Sequence, residues 1–124
     1  MYKIIYNKKI NENCYELAVE AFDTIKKAMP GQFVIIMTYE NSERIPLTIY
    51  DYDSKKGILY MIYQVVGAST KELSMESKEL FSVLGPLGNA NIICKNINEY
   101  KDKKIVYVAG GVGIAPVYPQ VKYL

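Results

Sequence analysis

What narrows the fold most is a rhythm of short β-rich runs. Residues 2–9, 15–21, 32–39, 45–50, 58–66 and 80–84 each favour a strand. Turn signals such as Asn11-Glu12-Asn13, Pro30-Gly31 and the loop 51–57 separate them. The run Phe33-Val34-Ile35-Ile36-Met37 is apolar throughout and too short for a comfortable helix. Strands at about ten-residue spacing, joined by turns, predict a mainly β fold, a small six-stranded antiparallel Greek-key barrel. Two short helical pieces interrupt it. One spans 22–29 with Asp23 as its cap; the other spans 71–75, capped by Ser69 or Thr70 with Glu72 in its first turn. Ile92-Ile93 reads as a further barrel strand.

The character changes after a polar, charged stretch at 96–104, read as a linker. Residues 104–109 form a continuous apolar run of the kind buried on both faces in α/β domains. It leads into Gly110-Gly111-Val112-Gly113-Ile114-Ala115-Pro116, with a helix expected next. This is the setting of a dinucleotide-binding fingerprint, although Pro116 stands where the third glycine is usual. The expected organisation is a barrel domain at 1–98 and the first strand and glycine turn of an α/β domain at 99–124. A strand, a turn and part of a helix cannot bury a core of their own. The chain therefore reads as cut within its second domain.

Composition excludes several chemistries. There is no histidine among the 124 residues. No Ser-His-Asp or Cys-His catalytic pair, and no histidine-ligated metal, can be built from this chain. Cys14 and Cys94 stand alone and read as buried thiols; no metal site is expected. Any redox chemistry must come from a bound cofactor. The net charge is +2 with scattered lysines, so no nucleic-acid surface is indicated. No apolar run approaches the roughly 18 residues of a membrane span. The first ten residues lack the apolar core of a signal peptide, and the protein reads as cytoplasmic.

Arg44 is the only arginine. Its planar fork grips phosphate through two hydrogen bonds, as lysine cannot. It precedes Pro46 and Thr48, a ring and a hydroxyl on a strand that could lie along an aromatic ligand. Two readings fit: a ligand-binding edge, or an ordinary turn with Arg44 in water. Gly67-Ala68-Ser69-Thr70 follows a strand and opens a helix, so it either receives a phosphate or merely caps its own helix. Arg44 and this helix start, on neighbouring strands, could together hold a pyrophosphate. Gly85-Pro86-Leu87-Gly88 is explained nearly as well by a tight turn.

The order RIPLTI, VVGAST, GPLG, AGGVGIAP resembles the ferredoxin–NADP reductase superfamily. PGQFV, RIPLTI and GPLGN together resemble the electron-transfer subunit of type B dihydroorotate dehydrogenase. They equally resemble the small subunit of NADH-dependent ferredoxin:NADP oxidoreductase, which is sulfide dehydrogenase-like. The resemblance covers essentially the whole chain. It implies that the barrel binds FAD, with Pro46, Leu47 and Thr48 against the isoalloxazine and Ile62, Tyr63 and Gln64 lining the flavin from the next strand. Arg44, Gly67, Ser69 and Thr70 would take the pyrophosphate. Gly110, Gly111, Gly113 and Pro116 would begin the NAD(P)H domain. The implied parent is a flavoprotein oxidoreductase subunit. It moves electrons between NAD(P)H and an iron–sulfur cluster or a catalytic partner subunit. A [2Fe-2S] cluster is expected only beyond Leu124, and this part alone is not expected to oxidise NAD(P)H. Residues 104–109, as an orphaned strand, could pair two copies into a homodimer.

Some positions depart from the family pattern. The superfamily arginine stands three residues before its Ser or Thr, whereas Arg44 stands four before Thr48, and one residue along a strand changes faces. Glycine is more usual where Ser69 stands. The rival reading from another class is a non-catalytic β-barrel binding or assembly module whose glycine turns are purely structural.

Overall fold

The computed structural model describes residues 1–110 and 114–124. Its elements are β1 (Tyr2–Lys9), β2 (Cys14–Glu20), α1 (Phe22–Ile25), β3 (Phe33–Met37), β4 (Ile45–Asp53), β5 (Ile58–Gln64), α2 (Ala68–Ser74), β6 (Glu79–Leu80), β7 (Ser82–Leu87), α3 (Ile92–Lys95), α4 (Ile97–Tyr100) and α5 (Ile114–Tyr123). The strands run in the order β6-β1-β2-β5-β4-β3-β7, and every neighbouring pair is antiparallel.

The two ends of that order join. Only Phe81 separates β6 from β7, and its N–H bonds to the Met37 carbonyl at 2.9 Å. One bent strand therefore pairs with β1 through Tyr2↔Leu80 and Lys3↔Glu79, then with β3 through Met37↔Ser82 and Ile36↔Val83. Counted through the bend, the barrel has the six strands expected. Closing it removes the exposed sheet edges that invite aggregation.

Strand alternation builds the interior. Leu17 and Val19 of β2, Val34 and Ile36 of β3, Ile49 of β4, and Leu59 and Met61 of β5 all have no exposed surface. Each such side chain contributes about 1.5–3 kcal/mol of burial free energy. β2 and β5 stay in register over their full length, from Cys14↔Gln64 to Glu20↔Ile58. The β4–β5 hairpin turns at residues 54–57. There the Asp53 carboxylate accepts N–H bonds from Lys55 and Lys56, both at 3.0 Å. Gly57, at φ +69, completes the turn; a Cβ there would lie 2.4 Å from the Phe22 ring.

α2 plugs one end of the barrel with Leu73, which is fully buried. Asn7 on β1 fixes it: the amide nitrogen donates to the carbonyls of Leu73 (2.8 Å) and Glu76 (2.9 Å), tying the end of the helix and the chain just past it to β1. The Asn7 oxygen accepts from the Tyr63 hydroxyl at 2.8 Å.

Several expectations are corrected. α1 is shorter than 22–29; Asp23 lies in its first turn and Ala21 occupies the cap position with no side-chain bond. α2 begins three residues earlier than expected, with Gly67 at its N-cap. Thr70 is thus the third helical residue, and its Oγ1 reaches back to accept the N–H groups of Val66 (2.9 Å) and Gly67 (3.1 Å). Ile92 and Ile93 open α3 rather than a strand, because Asn91 caps the helix by accepting N–H bonds from Ile93 (2.9 Å) and Cys94 (3.1 Å). The expected linker contains α4. Residues 104–109 form no strand, since no strand of the described residues runs beside them; Val106 and Val108 are 75% and 88% exposed. The expected helix after the glycine turn is present as α5. It packs on β4, burying Ala115 and Pro119, with Tyr118 5.0 Å from Tyr50 between ring centroids.

Candidate functional site

A continuous groove crosses the outer face of β4 and β5. Its first lobe lies between Glu43-Arg44, in the loop before β4, and the start of α2 at Gly67, Ser69 and Thr70. The second is lined by Pro46, Thr48, Ile62 and Gln64, with Ala115 and Pro116 of α5 opposite. The third continues past Ile62 and Gln64 to Gly110, Ile114 and the β1–β2 turn at Asn11, Asn13 and Cys14. Pro46, Val66 and Thr70 belong to the first two lobes, and Ile62 and Gln64 to the last two. The lobes enclose about 270, 280 and 520 Å³. The two smaller ones each fall short of the roughly 300–1,000 Å³ typical of a ligand site, and joined they pass that threshold.

The groove gathers the described residues singled out from sequence: Arg44, Pro46, Leu47, Thr48, Ile62, Tyr63, Gln64, Gly67, Ser69, Thr70, Gly110 and Pro116. Gly111 and Gly113 lie outside the described residues. The two triplets do not contribute equally, because successive side chains on a strand face opposite sides. Pro46 and Thr48 face outward, as do Ile62 and Gln64. The middle residues turn into the core: Leu47 is 8% exposed and Tyr63 is 3% exposed. Tyr63 stacks on Tyr15 at 5.6 Å, and burial raises its pKa above the ordinary tyrosine range. Its hydroxyl is spent on Asn7 inside the barrel.

At the first lobe, Arg44 is exposed and makes no ion pair among the described residues. The first intrahelical bond of α2 is Lys71 N–H to the Gly67 carbonyl at 3.0 Å. The N–H groups of Ala68, Ser69 and Thr70 precede it and have no partner within the helix. The hydroxyls here are engaged: Thr70 within its own cap, and Ser69 as a donor to the Glu43 carboxylate. Glu43 was not singled out from sequence, although its place beside the only arginine was a usable signal. Val66 and Ala115 fall within the quoted VVGAST and AGGVGIAP motifs but were not named as site residues, and the β1–β2 turn was read only as a turn.

Beside the second lobe, Glu16 pairs with Ile62 across β2 and β5 and accepts the Tyr6 hydroxyl. Burial first, then this bond to Glu16, pushes the Tyr6 pKa well above the ordinary range, so Tyr6 stays a neutral donor near neutral pH. α5 is held against the groove by its far end. Lys122 Nζ lies 2.6 Å from Asp51 Oδ1, and Gln120 accepts from the Asn91 amide at 2.8 Å.

No protein-family model matches the chain. Among curated relatives, a protein of Clostridium beijerinckii described only as uncharacterized, in the adh 3′ region, is 46% identical over all of this chain. A dihydroorotate dehydrogenase B (NAD(+)) electron transfer subunit homolog of Thermotoga maritima is 40% identical over 98% of it. The corresponding subunit of Clostridium acetobutylicum is 31% identical over 98%. The chain spans 43%, 42% and 47% of these relatives, less than half of each. Among solved structures, an NADH-dependent reduced ferredoxin-NADP oxidoreductase superposes over 99% of this chain and 43% of its own, with TM-score 0.82 and 34% identity. Ferredoxin-NADP+ reductase from Plasmodium falciparum matches at TM-score 0.69 over 98% of this chain and 51% of its own; at 19% identity that likeness speaks for the fold alone. The chain is thus related, in sequence and in ferredoxin-reductase-type barrel fold, to the electron-transfer subunits of the dihydroorotate dehydrogenase B kind.

Proposed function

We propose that this chain is the FAD-binding part of an oxidoreductase electron-transfer subunit. The observation that carries the reading is Gly67. Its φ of −164° is extended backbone that any residue adopts, and a Cβ placed there meets nothing within 4 Å. Neither strain nor packing asks for glycine at this position. A ligand that must approach the backbone at the start of α2 does. Gly110, at the other end of the groove, likewise has nothing among the described residues within 4 Å of an added Cβ. The structural-module reading suits Gly31, Gly57, Gly85 and Gly88, which all have positive φ; it accounts for Gly67 only as a helix N-cap, where Ser, Asp or Asn serves better, and gives no reason for Gly110.

The donor set fits a flavin dinucleotide. Arg44 and the free N–H groups at Ala68, Ser69 and Thr70 suit a pyrophosphate. Pro46, Thr48, Ile62 and Gln64 offer a mixed apolar and polar wall for a planar ring, with Ala115 and Pro116 on the other side. Bound FAD would supply the redox chemistry, taking two electrons from NAD(P)H and releasing them singly to an iron–sulfur centre or partner subunit. This chain's residues orient the ring and screen it from water. In this reading residues 1–98 are the FAD domain and 99–124 begin the nicotinamide domain of a cytoplasmic, multi-subunit enzyme.

Calorimetric titration with FAD and FMN tests the assignment. FMN lacks the second phosphate and the adenosine. Loss of one charge-assisted hydrogen bond, worth about 1.5–3 kcal/mol, makes FMN roughly ten- to a hundredfold weaker. Equal affinities remove Arg44 and α2 from the site, and no binding of either flavin overturns the reading.

A further inference from the structure

The first lobe of the groove carries a feature that works against its proposed ligand. Glu43 and Arg44 are adjacent, both exposed, and both line it. Their formal charges cancel where a doubly charged diphosphate is to be held. Glu43 also engages the Ser69 hydroxyl, which donates to the Glu43 carboxylate across 26 residues of sequence. Ser69 and Arg44 are the two side chains of this lobe best suited to donate to a phosphate. One is occupied by the carboxylate and the other is offset by it.

We propose that Glu43 is the specificity-determining residue of this lobe, weakening its grip on the diphosphate of a flavin dinucleotide by occupying Ser69 and opposing the charge of Arg44. This rests on the FAD reading above. A diphosphate entering the lobe must displace the carboxylate from Ser69 and accept that hydroxyl in its place. The groove consequently discriminates between FAD and flavins without a diphosphate less sharply than Arg44 alone would make it. The energy scale is that of a partly screened charge pair at a solvent-facing site, so it diminishes as salt shortens the Debye length.

The test is titration of the whole chain and of its Glu43→Gln variant with FAD and with riboflavin, at low and high salt. Glutamine keeps the size and removes the charge at an exposed position, so folding is not at risk. The expected result is FAD binding about two- to fivefold tighter in the variant at low salt, a smaller gain at high salt, and unchanged riboflavin affinity. Unchanged FAD affinity overturns the inference while leaving the flavin function standing. Weaker FAD binding also overturns it, since Glu43 would then be accepting hydrogen bonds from the ligand's own hydroxyls. An equal gain for riboflavin overturns it as well, because the effect would not depend on the diphosphate. If neither protein binds FAD, the functional reading fails and the role of Glu43 fails with it.

Discussion

Two stretches of this chain have almost the same sequence character and opposite fates. Phe33-Val34-Ile35-Ile36-Met37 is β3, with β4 on one side through Val34↔Leu47 and Ile36↔Ile45 and β7 on the other through Ile35↔Leu84 and Ile36↔Val83. Ile105-Val106-Tyr107-Val108 is as apolar and as rich in β-formers, yet it has no ladder, and its two valines stand in solvent. The difference lies in what each run has beside it. A strand is stabilised by its cross-strand neighbours and by burial of a face, and intrinsic preference does not substitute for either.

The largest expected effect of that difference is on hydrogen exchange. The amides of Val34 and Ile36 open only with much of the barrel, so they should exchange on the order of a thousandfold or more slower than those of 105–109. Comparable protection in the two runs would break the comparison. Protection at 105–109 that rises with protein concentration would instead show that the run pairs between copies, as the homodimer expectation requires.

A matched pair of truncations comes next. Ile36→Ala removes a fully buried side chain and should cost about 2–5 kcal/mol in denaturant unfolding. Val108→Ala, in the exposed run, should change stability by no more than about 0.5 kcal/mol. A large loss at Val108 would mean that the run is packed in solution.

The groove is where the two regions meet: the barrel brings Arg44, Pro46 and Thr48, and the C-terminal part brings Gly110, Ala115 and Pro116. Arg44→Lys should weaken FAD binding by about 1.5–3 kcal/mol if the fork is used, roughly ten- to a hundredfold in affinity. An unchanged dissociation constant would mean that the one-residue offset has left Arg44 in solvent.

The smallest effect concerns the fastening of α5 to β4. Lys122→Met should cost no more than about 1 kcal/mol of stability, because the Lys122 end of its pair with Asp51 is half exposed to water. Asp51 raises the Lys122 pKa, chiefly through their hydrogen bond. A raised folded-state pKa favours the folded form at pH values where the lysine is charged. The contribution is therefore complete below the ordinary lysine range and is lost only as the pH climbs above it. Urea melts at neutral and strongly alkaline pH should show the wild-type advantage at the first and not at the second.

Much of this was legible in the residues themselves. The spacing of apolar runs and turns specified the barrel strands, because period-two alternation and Gly/Pro breaks are local properties. The glycine and arginine segments that line the groove stood out for the same reason. Other features needed the assembled chain. Whether 104–109 became a strand depended on a neighbour. Whether Leu47 and Tyr63 faced ligand or core depended on which face of β4 and β5 the barrel closed around. Asn7 gave no local sign that it would hold the C-terminus of α2 from 66 residues away. The contact of Glu43 with Ser69 was equally invisible, since it exists only once the loop before β4 meets the start of α2. Local preference is written in a few consecutive residues, whereas partners, facing and charge balance are set by residues far apart in sequence, and only closing the barrel brings those together.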